Sequence, residues 1–190
     1  MNQVAPPSDR EDAILDAAFH AFAGYGYRRV TMEDIAAGAG LSRTALYQHF
    51  RNKEDIFRSL SARYFSLCMA EMERALQTDG PAEDVLRGAF IAKDGKFMDV
   101  VLGTPHGREL LDAGFTLAAE VAGRAEAGMA ALLAGWLARQ GAADRLGDPT
   151  LTGVTVMAAL KGLKTSARTL DDYRAGQAML ARMLALSLGR

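Results

Sequence analysis

A succession of helix starts limits what this chain can fold into. Thr31-x-x-Asp34, Asn52-x-x-Asp55 and Thr169-x-x-Asp172 each set a capping oxygen three residues before an acidic side chain, as does Ser8-x-x-Glu11. Ser42 offers a further cap, and Thr104-Pro105 and Asp148-Pro149 pair a cap with proline at the first helical position. Apolar residues follow at helical spacing, as Ile14, Leu15, Ala18, Phe19 and Phe22 do on one face of the first segment. Sustained period-2 alternation is missing, so the chain reads as all-α.

Nine helices are expected. Three short ones occupy residues 8–50, and longer ones cover about 52–77, 82–102, 104–113, 114–139, 148–168 and 169–188. Residues 1–7 are expected to be disordered. Of the 190 residues, 49% are hydrophobic, ample for a buried core. The single cysteine, Cys68, cannot form an internal disulfide and reads as a half-buried helix residue. The start, MNQVAPPSDRED, lacks the basic-then-apolar signal pattern, and the most apolar run, residues 127–138, is too short for a membrane span. A cytoplasmic protein without membrane contact is expected. His20, His49 and His106 lie on separate elements without metal-ligand spacing, and the chain has no paired carboxylates or nucleophile–base pair. Neither an enzyme nor a cofactor is expected.

The second and third helices are short and joined by a tight turn at Gly40, the pattern of a helix-turn-helix. Ile35, Ala36, Ala39, Leu41 and Leu46 would form their shared core. The other face of the third helix then offers Ser42, Arg43, Thr44, Tyr47, Gln48 and His49 to a DNA major groove, N-terminus first. Arg43 suits guanine, Gln48 adenine and the Thr44 methyl thymine. Ser42, Tyr47 and His49 suit phosphate oxygens, and Thr31 and Lys53, at helix starts, are placed to do the same. The chain carries 22 Lys+Arg against 23 Asp+Glu, a net charge of -1. Residues 26–53, however, hold Arg28, Arg29, Arg43, Arg51 and Lys53 against only Glu33 and Asp34. The basic charge is gathered where the polyanion would lie.

Residues 26–54, GYRRVTMEDIAAGAGLSRTALYQHFRNKE, resemble the N-terminal DNA-binding signature of the tetracycline-repressor (TetR) family. The matching anchors are Gly26-Tyr27, Thr31, Ile35-Ala36, Ala39-Gly40-Leu41-Ser42, Leu46-Tyr47, His49-Phe50 and Lys53-Glu54. Gly38 and Thr44 depart from the family pattern, so base preference cannot be carried over from a relative.

The resemblance implies an all-α protein with a three-helix helix-turn-helix DNA-binding domain over 8–52 and a six-helix ligand-binding and dimerisation domain over 53–190. It implies a homodimeric regulator, a repressor that binds a palindromic operator in double-stranded DNA and is released by a small-molecule effector. A DNA-binding protein controlled by a protein partner, or by no ligand, is the alternative. The family's effector region falls here on helices rich in Met and Phe. Phe65, Met69, Phe90, Phe97, Phe115 and Trp136 are its candidate walls and His106 a candidate polar contact, suiting a lipophilic or aromatic ligand. Eight glycines between Gly88 and Gly135 mark either close helix crossings or a soft effector region. The last two helices carry more apolar surface than one core needs, and in the family they form the dimer interface. Gly153, Met157, Leu160, Met179 and Met183 are its candidates here.

Overall fold

The computed structural model describes residues 9–189, without the side chains of Gly114 and Phe115. The Ser8 cap and the expected disorder of residues 1–7 lie outside the described residues. All regular structure among these residues is helical: α1 (Asp9–Tyr25), α2 (Met32–Gly38), α3 (Arg43–His49), α4 (Lys53–Leu76), α5 (Ala82–Ala92), α6 (Phe97–Gly103), α7 (Gly107–Leu117), α8 (Ala119–Arg139), α9 (Ala143–Leu146), α10 (Pro149–Ser166) and α11 (Leu170–Ser187). None of these helices is long and apolar enough to cross a membrane.

The starts read from sequence are made by the expected atoms. Thr31 and Asp34 form a reciprocal capping box, and Ser42, Asn52, Asp148 and Thr169 each accept a backbone N–H of the first turn. Between α2 and α3, the Leu41 N–H reaches Ala36 O at 2.8 Å and the Gly40 N–H reaches Ala37 O at 3.1 Å. This Schellman closure needs a left-handed residue, and Gly40 supplies it with φ +67°.

Three boundaries differ from expectation. The helix expected over 82–102 breaks at 93–96, where Gly95 has φ +49° and Asp94 turns its carboxylate inward. Thr104 ends α6 rather than starting a helix, its hydroxyl donating to Val100 O, and α7 begins at Gly107. Gly114 does not separate α7 from α8; the helices part at Ala118, which makes no side-chain cap hydrogen bond. With the short α9, the part after α3 has eight helices among the described residues, not six.

Two cores share α4. Ile14, Leu15, Ala18, Phe22, Ile35, Ala36 and Leu46 form the first with Ile56, Phe57 and Leu60 of α4 and Leu110 of α7. The larger core lies among α4, α5, α8, α10 and α11, around Met72, Leu86, Phe90, Leu133 and Leu160. At about 1.5 Å per residue, the 24-residue α4 runs roughly 36 Å and ties the three-helix head to the bundle. Arg63 of α4 reinforces the tie by bonding Asp12 at 2.8 Å and also Asp16, both on α1.

Candidate nucleic-acid interface and ligand cavity

α3 buries Leu46 and leaves Ser42, Arg43, Thr44, Tyr47 and Gln48 exposed on one side. The Arg43 guanidinium lies 5.6 Å from the centre of the Tyr47 ring and 3.9 Å from a Glu33 oxygen. It is thereby held near the N-terminal end of α3, beside an acidic neighbour. His49 is only partly exposed, and its Nδ1 lies 3.7 Å from Glu11. The Thr31 hydroxyl donates to Asp34 at 2.7 Å, so serving a phosphate requires leaving that carboxylate. The same bonds lower the Asp34 pKa.

Lys53 does not extend toward a phosphate. Its ammonium donates to the carbonyls of Tyr27 at 2.7 Å, Val30 at 2.8 Å and Arg28 at 3.2 Å, and sits 4.6 Å from the centre of the Tyr27 ring. An ammonium has three donors, and all three are committed. The expected phosphate contact gives way to a staple on the turn between α1 and α2. Burial lowers the Lys53 pKa, while Glu109 acts to raise it. Glu109 faces the same turn from α7 and accepts the Arg28 N–H at 2.7 Å. The turn that positions α2 is thus gripped by α4 on one side and α7 on the other. Sequence reasoning missed both grips, because the partners lie at least 23 residues apart.

A cavity of about 470 Å³ lies between head and bundle. Of the candidate walls Phe65 and Phe97 line it, joined by Phe19 of α1, Phe57 and Leu60 of α4, Leu110 and Leu111 of α7, and Met129 of α8. The other candidate walls are elsewhere. Phe90 is fully buried in the bundle core, and Trp136 borders a separate groove with Leu76 and Arg139. Met69 packs toward Gly128, where an added Cβ would lie 2.7 Å from the Met69 methyl. His106 sits at the head–bundle junction, 3.9 Å from Glu109. The Phe115 side chain lies outside the described residues.

At one end of the cavity the 93–96 turn brings Lys93, Asp94 and Lys164 together, a cluster the unbroken-helix reading hid. The dipeptide Asp94-Gly95 was the available turn signal. Burial pushes the Asp94 pKa up, but the Lys93 and Lys164 charges and hydrogen bonds outweigh it and hold the group at about 2. Burial raises the pKa of the nearby Cys68 thiol, which keeps it protonated.

The dimer candidates divide by face. Gly153, Met157 and Leu160 are buried within the chain, against the expectation that they meet a partner. A Cβ on Gly153 would lie 2.6 Å from Ala130 O, so this small residue serves the crossing of α10 on α8. Met179 and Met183 are more than half exposed, and so are Leu151, Val154 and Leu186 on the same two helices.

Residues 14–60 match the model of the bacterial regulatory proteins of the tetR family. The three-helix head and the start of α4 are thus those of the tetR family of bacterial regulatory proteins. The match ends at the Leu60 position, where α4 closes the head core. The chain is 30% identical over 106 residues to the transcriptional activator FasR of Mycolicibacterium smegmatis, spanning 56% of this chain and 47% of FasR. It is 36% identical over 75 residues to the repressor LfrR of the same organism, spanning 40% of this chain and 39% of LfrR. It thus spans less than half the length of either relative. The structure of SmeT, repressor of the Stenotrophomonas maltophilia multidrug efflux pump SmeDEF, in complex with triclosan has the same fold. Its TM-score is 0.65 at 23% identity, covering 94% of this chain and 90% of SmeT.

Proposed function

We propose that this TetR-family chain is a cytoplasmic homodimeric repressor that binds a palindromic operator and is released by a small lipophilic or aromatic ligand. Residues 8–52 are taken as the reading domain and 53–190 as the effector and dimer domain. Arg43, Thr44 and Gln48 read base edges, and Ser42, Tyr47 and His49 take phosphates. The exposed apolar face of α10 and α11, carried by Leu151, Val154, Met179, Met183 and Leu186, is the surface for a second copy. A two-fold pair of heads suits half-sites one helical turn, or a multiple of it, apart.

The observation that carries the ligand response is the composition of the cavity wall. Phe19 and Phe57 belong to the head core or pack on it, and Leu110 and Leu111 of α7 line the same space. Glu109, the preceding residue on α7, holds the Arg28 N–H of the head. A ligand that moves α7 therefore moves the turn before α2. It releases DNA only to the extent that it binds the released arrangement more tightly than the DNA-bound one. The triclosan complex of SmeT supports a small-molecule effector on this fold.

Footprinting on the intergenic DNA beside the gene tests the reading. A protected palindrome is expected, with protection lost on adding a ligand found by thermal shift. No protected site, or a stabilising ligand that leaves protection unchanged at saturation, would contradict it.

A further inference from the structure

The buried end of the cavity carries an unbalanced charge. The Asp94 side chain is 1% exposed, and its Oδ1 accepts from Lys93 Nζ at 3.1 Å and from Lys164 Nζ at 3.0 Å. Its Oδ2 accepts from the Tyr173 hydroxyl and, at 3.4 Å, from Gln177 Nε2. Four donors thus fill this carboxylate, and two cations share one anion. The lysine side chains are 8% and 12% exposed, so the remaining positive charge is poorly solvated. Each ammonium has three donors. Among the described residues the hydrogen bonds found use one donor from each, toward Asp94.

Both lysines border the cavity, and Lys164 Nζ lies 5.2 Å from the centre of the Phe97 ring on its wall. The acidic groups along the cavity lie toward solvent and have cations of their own. Asp16 is bound to Arg63 and Glu71 to Arg74, with side-chain exposures of 66% and 50%, while Glu126 pairs with Lys161. Solvent and salt screen those charges far more than the buried cluster. Ser61 and Lys96 also border the cavity, and its apolar wall includes Phe19, Phe57, Phe65, Phe97, Leu110 and Met129.

We propose that the cavity takes a lipophilic carboxylate, its acid group seated on the Lys93 and Lys164 ammonium groups and its apolar body along Phe65, Phe97 and Met129. The anion balances the buried cation pair and accepts the spare N–H donors as charge-assisted hydrogen bonds. Asp94 keeps its four donors and holds the two lysines in place. This inference rests on the effector-cavity reading above and adds the charge of the ligand.

The test is calorimetric titration of the full chain with decanoate, 1-decanol and decylammonium under one buffer condition. Decanoate is expected to bind at least about tenfold more tightly than decanol, with decylammonium weakest. In Lys164→Met, decanoate affinity falls by about tenfold while decanol stays within about twofold. Should that variant fail to fold, the unmodified chain decides alone through the order of its three ligands. Decanol binding as tightly as decanoate, or decylammonium binding best, overturns the proposal and leaves the effector cavity standing. Binding of none of the three overturns both.

Discussion

Lys53→Met separates two roles that look alike at a helix start. The substitution keeps the apolar stem against Tyr27 and deletes the ammonium that holds the Tyr27, Arg28 and Val30 carbonyls. A hydrogen bond to a charged group contributes about 1.5–3 kcal/mol. The Arg28 bond is the longest of the three and solvent-exposed, so its carbonyl can turn to water. The two part-buried bonds at 2.7 and 2.8 Å then set an expected loss of about 2–4 kcal/mol of stability, discounted for partial exposure. Urea unfolding measures this as a lower midpoint at unchanged slope. DNA binding is measured across a salt series. A phosphate contact contributes about 0.9 to the slope of log affinity against log salt concentration. The staple predicts that Lys53→Met weakens binding, because the turn before α2 loosens, but leaves that slope unchanged. A slope reduced by about 0.9, with stability unaltered, would refute it.

Arg43→Ala is expected to lower discrimination between operator and a base-substituted operator by about 1–3 kcal/mol, measured by competitive binding; unchanged preference would remove Arg43 from base readout. Asp94→Asn strands two buried ammonium groups and should cost about 3–5 kcal/mol in chemical unfolding. Because the folded Asp94 pKa is depressed to about 2, its stabilising share of about 2 kcal/mol is present above the ordinary carboxylate range and is lost as pH falls from about 5 toward 2. A pH series of unfolding midpoints should lose that acid-side dependence in Asp94→Asn. Met179→Lys with Met183→Lys should yield a folded monomer by sedimentation that no longer protects a full palindrome.

The head was legible in the sequence because its determinants are local. The Thr31–Asp34 box, the Ser42 cap and the Gly40 turn each act within five residues, and apolar spacing alone names Ile35, Ala36 and Leu46 as core. What lay beyond that range was lost. Lys53 at a helix start resembles a phosphate ligand until the carbonyls of residues 27–30 are seen to take all its donors. The α5–α6 break had a local signal in Asp94-Gly95, but the Lys164 and Tyr173 partners of the Asp94 carboxylate lie 70 and 79 residues away. For α10 and α11, apolar periodicity showed surplus surface but not which face was surplus. Gly153, Met157 and Leu160 turned out to serve the chain's own bundle, and Leu151, Val154 and Leu186 were missed on the outside.

In the proposed mechanism, occupancy of the cavity is felt at α3, through α7 and the turn held by Glu109 and Lys53. The operator affinity of the dimer, measured with and without saturating cavity ligand, tests it most directly. A coupling of about 1–3 kcal/mol is predicted, so ligand should weaken operator binding by roughly 5- to 150-fold. Equal operator affinity in the two conditions, with the cavity shown by calorimetry to be filled, would contradict the account.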